Sequence, residues 1–185
     1  MSAATGAVVF TDLVGFTEFT ATAGDAEALR LLAVQEQIVR QLLPADARIV
    51  KELGDGLMLF FGDPCAAVIT LLQVLVAFEA AADIEMLPLL VRVGAHWGTP
   101  SRRGHDLVGH DANVAARIVD VASPGELLLS EALRNQGDHR GVEFSEIGPV
   151  MMKGLVGPIS LYRAEISLND FAPITAMPEL RSSAS

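Results

Sequence analysis

Cysteine is nearly absent from this 185-residue sequence, in which Cys65 is the single example. A lone cysteine cannot form an internal disulfide, and no Cys/His cluster has zinc spacing, so we expect a reducing compartment. Positive charge is also scarce, since 13 Lys and Arg face 23 Asp and Glu for a net charge of −10. An acidic surface repels phosphate backbones, which argues against nucleic acid as a partner. A small anionic substrate is compatible with this charge if the few cations share one cleft.

The sequence also lacks features that would target or anchor it at a membrane. Residues 1–6 have no basic segment and no apolar run, so we expect no signal peptide. The most apolar stretch, 65–78, is too short to cross a bilayer and indicates a buried helix. Low-complexity tracts are missing, and 51% of the residues are hydrophobic. These observations predict one soluble, cytoplasmic domain with a substantial core and no membrane insertion.

Hydrophobic periodicity and turn residues predict alternating strands and helices. The expected strands are 7–10, 48–52, 57–61, 89–96, 126–129, 142–147 and 159–166, and the expected helices are 25–43 with Asp25 as N-cap, 64–82 and 110–121. Residues 11–17 are expected to form a turn and 98–105 a loop. Two strands joined by the hairpin at 53–56 lie between helices, which favours an α+β fold with a mixed or antiparallel sheet and helices packed on one face. We assign 1–166 to the domain and 167–185 to a loose tail.

Two acidic residues stand where the predicted sheet ends or turns. Asp12 closely follows the apolar strand 7–10, and Asp55 lies at the tip of the hairpin 53–56. Hairpin tips can lie beside the end of a neighbouring strand, and two carboxylates there would suit Mg²⁺ or Mn²⁺. Each residue alone is equally compatible with a turn or a helix cap, so both interpretations stay open.

Two further segments could hold a phosphorylated ligand. The turn containing Gly15, Phe16 and Thr17 would expose backbone N–H groups that can bind phosphate, although it could equally be a simple strand-to-helix turn. Asn113 and Arg117 are four residues apart and therefore share one face of the predicted helix 110–121. An amide and a guanidinium there could grip a phosphoryl group and a sugar oxygen. A solvated polar stripe would show the same spacing.

Taken together, four segments resemble the class III adenylyl and guanylyl cyclases. They are 10–17 (FTDLVGFT), 51–56 (KELGDG), 106–117 (DLVGHDANVAAR) and 152–162 (MKGLVGPISLY). The segments occur in the order of that family, and the resemblance extends over residues 6–166. Any one of them could arise by chance, but four in register favour the family over the separate turn and surface interpretations.

The resemblance implies a ferredoxin-like α+β sandwich of the nucleotidyl cyclase type that pairs head to tail as a homodimer. It implies that ATP is converted to 3′,5′-cyclic AMP and pyrophosphate with two divalent cations, Mg²⁺ or Mn²⁺, at each interfacial site. The implied metal ligands are Asp12, Asp55 and the Leu13 carbonyl, and the backbone at Phe16 and Thr17 would hold the β- and γ-phosphates. The partner subunit would supply Lys51 and Asp106 for the purine, Asn113 for the ribose, Arg117 for the α-phosphate and Lys153 for the triphosphate.

Within this resemblance, Lys51 and Asp106 predict the choice of base. Adenine offers an acceptor at N1 and a donor at its amino group, which match a lysine and an ionised aspartate. Guanine presents the reverse pattern, and each mispaired group costs about 1–3 kcal/mol, so selectivity for ATP could reach about 100-fold or more. Guanylyl cyclases typically carry an acidic residue at the lysine position, which weighs against GTP as the substrate.

Two competing functions stay open, and the sequence departs from the family pattern at one segment. The chain could be a catalytically silent nucleotide-binding or dimerisation module, although every expected polar residue is present. A palm-type polymerase or dinucleotide cyclase shares a similar topology but would not explain Asn113 and Arg117. The loop from Trp97 to His105 is shorter than in many relatives, where it extends into a dimer arm. Relatives often place an arginine near here against the phosphates, and Arg102 or Arg103 could serve.

Overall fold

The computed structural model describes residues 4–88 and 90–167. Its central sheet is mixed, with both parallel and antiparallel strands. In chain order the elements are β1 (Gly6–Leu13), α1 (Phe16–Ala23), α2 (Asp25–Leu42), β2 (Ala47–Leu53), β3 (Gly56–Phe61), α3 (Pro64–Glu85), β4 (Val91–Gly98), β5 (Ser101–Arg103), β6 (Asp106–Val108), α4 (His110–Val121), β7 (Leu127–Ser130), α5 (Glu131–Arg134), β8 (Val142–Val150) and β9 (Ile159–Ile166). The large sheet has the order β2-β3-β1-β4-β7-β9-β8, and among its described strands only the β4–β7 pair is parallel. The predicted α+β class with a mixed sheet is therefore confirmed.

Helices cover both faces of this sheet, so the expectation that they pack on one face is wrong. Ala7 and Val9 of β1 pack in the same cluster as buried residues of α2 and α3. The intervening Val8 packs instead with Ala112 and Ala115 of α4. Neighbouring residues of a strand point to opposite faces, so α4 lies on the face opposite α2 and α3. Every residue of β3 is buried. A strand that is covered on both faces shows no alternation of apolar and polar residues, so its sequence does not indicate which face each helix covers.

The apolar helix α3 is a core element. Its length and hydropathy would satisfy those of a membrane span, but the buried side chains of Val68, Leu71 and Phe78 belong to the main hydrophobic cluster. Its start follows from capping, because the Asp63 carboxylate accepts a hydrogen bond from the Ala66 N–H at 2.6 Å and Pro64 occupies the first turn. The prediction of a buried helix here is confirmed, and the helix extends three residues beyond its expected end.

Several local predictions need correction. Helix α1 begins at Phe16 and replaces part of the expected turn, while β1 continues through Leu13. Gly24 is the N-cap of α2, and Asp25 is its first residue. The expected loop at 98–105 contains strand β5, which pairs with β6 in a small two-stranded sheet. Helix α5 was not expected. The predicted loose tail 167–185 begins too early, because Ser167 is buried and its N–H donates to the Gly141 carbonyl at 2.9 Å. The predicted strand start at Leu89 and the rest of the predicted tail lie outside the described residues.

The alanine-rich helix α4 lies very close to the sheet. A Cβ atom on Gly94 of β4 would lie only 2.2 Å from the backbone nitrogen of Val119. Ala112, Ala115 and Ala122, elsewhere along this helix and at its end, are also buried. Small side chains on both elements thus allow the backbones to approach, and they fix the position of the outward face that carries Asn113 and Arg117.

Candidate active site

Asp12 and Asp55 come together at one end of the sheet, as the sequence predicts. Strands β1 and β3 pair so that Asp12 lies opposite Gly56, the residue that follows Asp55. Gly56 has no room for a side chain, because a Cβ there would lie 2.3 Å from the Thr11 carbonyl oxygen. The close contact between these strands therefore brings the hairpin tip beside Asp12.

The two carboxylates are close enough to influence one another. Burial raises the pKa of Asp55 above its ordinary value, and the negative charge of Asp12 adds to this effect, while Arg92 opposes it. The Asp55 carboxylate is partly stabilised by a hydrogen bond from its own backbone N–H. A partly buried pair of like charges is the arrangement that a cation would relieve.

This donor set fits Mg²⁺ or Mn²⁺. Carboxylate oxygens are the ligands that these ions prefer, and Mg²⁺ is commonly held by one or two carboxylates together with substrate phosphates. Within residues 4–88 and 90–167, no group of three or more His, Cys, Asp or Glu side chains comes together. Backbone carbonyl, water and phosphate oxygens would therefore have to complete the coordination of an ion bound to Asp12 and Asp55.

Arg92 belongs to this site, although its sequence position did not indicate a functional role. It lies opposite Asp12 in the β1–β4 register, and its Nε and Nη2 atoms are both 2.7 Å from Asp12 Oδ2. Its Nη1 atom also donates to the backbone carbonyl of Asp120 in α4, at 3.3 Å. An arginine inside the apolar strand Val91–Arg92–Val93 was the available signal, but only the strand register shows which residue it faces.

Arg102 and Arg103, expected near the phosphates, border a different part of the surface. Arg103 pairs with Asp106 in the β5–β6 register and contributes to the lowered pKa of Asp106. Burial lowers the pKa of Arg48, and the nearby charge of Arg102 lowers it further. The two exposed arginines therefore lie near Asp106 and Arg48, whereas Arg92 is the arginine beside the carboxylate pair.

Lys51 and Asp106, the two residues implied to recognise the purine, contact each other. Lys51 Nζ donates to Asp106 Oδ2 at 2.8 Å, and about a third of each side chain is exposed. The Lys51 hydrogen bond is the main cause of a lowered pKa for Asp106, whose other oxygen accepts the Leu107 N–H at 2.7 Å. Lys51 comes from β2 and Asp106 from β6, so the fold unites residues 55 positions apart.

Asn113 and Arg117 share the exposed face of α4, as their spacing predicts. Arg117 Nη1 lies 2.7 Å from Asp120 Oδ2, and about half of each side chain is exposed. The Asn113 side chain has no hydrogen-bond partner among the described residues. Neither residue contacts Asp12 or Asp55 within the described part of this chain, so the fold of one subunit does not unite them with the carboxylates.

The remaining predicted residues occupy a helix start, a buried strand end and an exposed loop. Phe16 and Thr17 form the first turn of α1, whose N-cap Gly15 has φ = 77° and provides no side-chain cap. Leu13 ends β1 and is buried. Lys153 is exposed in the turn between β8 and β9, beside Met152, which packs against α4. Free N–H groups at the α1 start lie just beyond Asp12 in the chain, where a phosphate could meet them.

Comparison with known proteins identifies the family. The model of the adenylate and guanylate cyclase catalytic domain matches residues 2–165. A pH-sensitive adenylate cyclase of Mycobacterium tuberculosis is 30% identical over 160 residues, covering 84% of this chain and 39% of the relative. An adenylate cyclase of Streptomyces coelicolor is 36% identical over 132 residues, covering 70% of this chain and 33% of the relative. The chain thus spans well under half the length of these relatives.

Solved structures support the same fold. An adenylyl cyclase from P. aeruginosa superposes with a TM-score of 0.82 at 22% identity, covering 92% of this chain and 100% of that one. The guanylate cyclase domain of a Catenaria anguillulae protein, solved with GTP, gives a TM-score of 0.74 at 15% identity. The match covers 90% of this chain and 100% of that one. At these identities the superpositions establish the nucleotidyl cyclase fold. Together with the match over 2–165, they show that this chain belongs to the adenylate and guanylate cyclase catalytic domain family.

Proposed function

We propose that this chain is an adenylyl cyclase that converts ATP to 3′,5′-cyclic AMP and pyrophosphate. The proposal names Mg²⁺ or Mn²⁺ as the cofactor and a head-to-tail homodimer as the working assembly. Family membership supports cyclase chemistry, and the relatives from M. tuberculosis and S. coelicolor that are named adenylate cyclases support ATP as the substrate. A cytoplasmic location fits the single cysteine and the apolar helix α3, whose buried residues contribute to the core.

The contact between Lys51 and Asp106 is the observation on which substrate choice depends. These residues come from different strands, yet their side chains meet at 2.8 Å with part of each still open to solvent. A lysine donates and an ionised aspartate accepts, which is the complement of N1 and the amino group of adenine. Asp106, whose pKa is lowered by the Lys51 hydrogen bond, is ionised at neutral pH and can therefore only accept. Guanine would face two mispaired groups.

The chain's own residues would bind and orient the substrate in the cyclisation. Divalent cations held by Asp12, Asp55 and the Leu13 carbonyl would acidify the ribose 3′-hydroxyl and neutralise the triphosphate. The free N–H groups at Phe16 and Thr17 would bind phosphate oxygens, and Arg92 would contact the same phosphates beside Asp12.

Asn113 would hold the ribose so that its 3′-oxygen faces the α-phosphorus, and Arg117 would stabilise negative charge on the α-phosphoryl oxygens. Lys153 would bind the triphosphate.

Two observations support a shared site between subunits. Asn113 and Arg117 point outward on α4, and neither contacts the carboxylates of its own chain within the described residues. Exposed apolar side chains also lie close in sequence to the proposed site residues: Leu53 (42% exposed), Val121 (44%), Met151 (70%) and Val156 (98%). Exposed apolar side chains beside polar site residues are typical of surfaces that a partner covers. A second copy would supply the missing amide and guanidinium.

Turnover of ATP and GTP by the purified chain tests this proposal. Each nucleotide is incubated with Mn²⁺ and, separately, Mg²⁺, and the products are identified by mass spectrometry. We expect cyclic AMP from ATP, with a kcat/KM about 100-fold or more above that for GTP. Measurable ATP binding without any cyclic nucleotide would instead favour a silent module, and preferred turnover of GTP would contradict the assignment of Lys51 and Asp106.

A further inference from the structure

A polar residue interrupts the buried stripe of α2. The residues of this helix that face the core are Ala28, Leu31, Gln35, Ile38 and Val39. Gln35 is only 2% exposed, and it occupies a position where the spacing of its neighbours would favour an aliphatic side chain. A buried amide is costly unless it is hydrogen-bonded, so its partner indicates what it does in the fold.

The partner of Gln35 is the backbone of the proposed metal-binding hairpin. Gln35 Nε2 donates to the Asp55 carbonyl oxygen at 3.3 Å, across 20 residues of chain. The bond acts on the backbone of Asp55 and leaves its carboxylate free to bind a cation. Hairpin tips normally present their carbonyls to water, so a bond from a buried helix side chain restricts this tip.

A second buried polar group holds the same tip where the chain enters β3. The Thr11 hydroxyl, on a residue that is 3% exposed, accepts a hydrogen bond from the Leu57 N–H at 3.1 Å. Two anchors therefore hold the chain just after the Asp55 side chain, Gln35 on the Asp55 carbonyl and Thr11 on the Leu57 amide two residues later. Thr11 is also the neighbour of Asp12, so this anchor connects the hairpin directly to the strand that carries the other carboxylate.

We propose that Gln35 is a positioning residue for the metal site, which fixes the Asp55 backbone so that its carboxylate faces Asp12. Without a bound metal ion the Asp12 and Asp55 carboxylates repel each other, and Arg92 offsets this repulsion only in part, so an unrestrained hairpin would relax by separating them. The Gln35 bond opposes that relaxation, so less free energy is spent on reorganising the hairpin when the cation binds. This inference rests on the proposed function, because it takes Asp12 and Asp55 to be the metal ligands.

Replacing Gln35 with methionine removes the hydrogen bond but keeps the length and helix propensity of the side chain. Ile38→Met is the matched control, since it alters the buried stripe one turn away and leaves the amide in place. Mn²⁺ binding to each full-length variant is measured by electron paramagnetic resonance in the presence of 3′-deoxy-ATP, which cannot cyclise. Hydrogen exchange of the amides at 54–57 is followed in parallel, without metal or nucleotide.

We expect Gln35→Met to weaken Mn²⁺ binding about three- to tenfold, the range that corresponds to one lost hydrogen bond, and to speed exchange at the hairpin. Ile38→Met should change neither Mn²⁺ binding nor hydrogen exchange at the hairpin, even if it lowers the melting temperature as much as Gln35→Met does. Unaltered Mn²⁺ binding in Gln35→Met, or equal weakening in both variants, would overturn the proposal. If wild-type protein makes no cyclic AMP, the proposed function fails, while hairpin exchange still decides whether Gln35 fixes Asp55.

Discussion

Arg92 on β4 holds the Asp12 carboxylate of the neighbouring strand β1, with two of its nitrogen atoms 2.7 Å from the same oxygen. The positive charge of Arg92 therefore already balances the Asp12 carboxylate, one of the two acids at the proposed metal site. A divalent ion that binds Asp12 would compete with this pair, and a triphosphate would offer the guanidinium a new anionic partner. Arg92 is thus placed to exchange a carboxylate for a phosphate when the substrate arrives with its metal.

Replacing Arg92 should weaken the use of ATP. We expect Arg92→Gln to lower kcat/KM for ATP about tenfold or more, because a charge-assisted contact to phosphate is lost. Steady-state kinetics of cyclic AMP formation measure this effect. Arg40→Gln is the control, since Arg40 pairs with Glu36 on the exposed side of α2, and its activity should match wild type. Equal activity of both variants would remove Arg92 from the site.

Changes at Lys51 and Asp106, the proposed base-recognition pair, should alter the preference between nucleotides. Lys51→Met and Asp106→Asn should each lower kcat/KM for ATP about 10- to 100-fold, while turnover of GTP changes less, because each substitution removes a group that discriminates between the bases. Competition assays with both nucleotides give the ratio directly. Glu52→Gln, at the exposed neighbouring position on β2, should leave the ratio unchanged. A preference that stays constant in all three variants would refute the role of the pair.

The raised pKa of Asp55 predicts a gain in stability when its charge is removed. A carboxyl whose folded-state pKa is raised binds its proton more tightly in the folded than in the unfolded chain, so its ionised form destabilises the fold at neutral pH. Without metal, Asp55→Asn should raise the melting temperature by about 1–3 °C at pH 7–8. This gain should shrink as the pH falls through the raised pKa of Asp55. A variant that melts below wild type would contradict the electrostatic account.

A side chain at Gly56 should disturb the proposed metal site through the backbone. Its Cβ would lie 2.3 Å from the Thr11 carbonyl oxygen, so Gly56→Ala should push the hairpin away from β1 and separate Asp55 from Asp12. We expect a loss of about 1–3 kcal/mol in the free energy of unfolding, together with weaker Mn²⁺-dependent activity. Gly62→Ala is the control, because the nearest atom to its Cβ belongs to the flexible Asp46 side chain, at 3.3 Å. Denaturant titration and activity assays of both variants make the comparison.

The sequence predicts best those features that depend on local signals. Pro64 marks the start of α3, and the Gly-Asp-Gly turn marks the hairpin that carries Asp55, so both elements were predicted. Strands β5 and β6 escaped prediction because polar residues such as Arg102 show no alternation, and their pairing with each other defines them. Helix α1 escaped because its apolar residues follow a glycine that also fits a simple turn.

Properties that depend on strand register could not be predicted from the sequence. Arg92 is only a charged residue in an apolar strand until the β1–β4 pairing places it opposite Asp12. Gln35 likewise has the composition of a surface residue until the packing of α2 brings its amide to the Asp55 carbonyl. In both cases the partner lies on another element, and no local pattern reports that relationship.

Subunit complementation tests the shared active site most directly. Asp55→Ala and Arg117→Ala are each expected to be folded and inactive, since one lacks a proposed metal ligand and the other lacks the guanidinium proposed to bind the α-phosphate. When the variants are mixed in equal amounts and allowed to exchange, half of the dimers pair one with the other, and each such dimer has one intact site. We therefore predict that cyclic AMP formation recovers to about a quarter of the wild-type rate. No recovery in a mixture whose subunits demonstrably exchange would contradict an active site built from two copies of this chain.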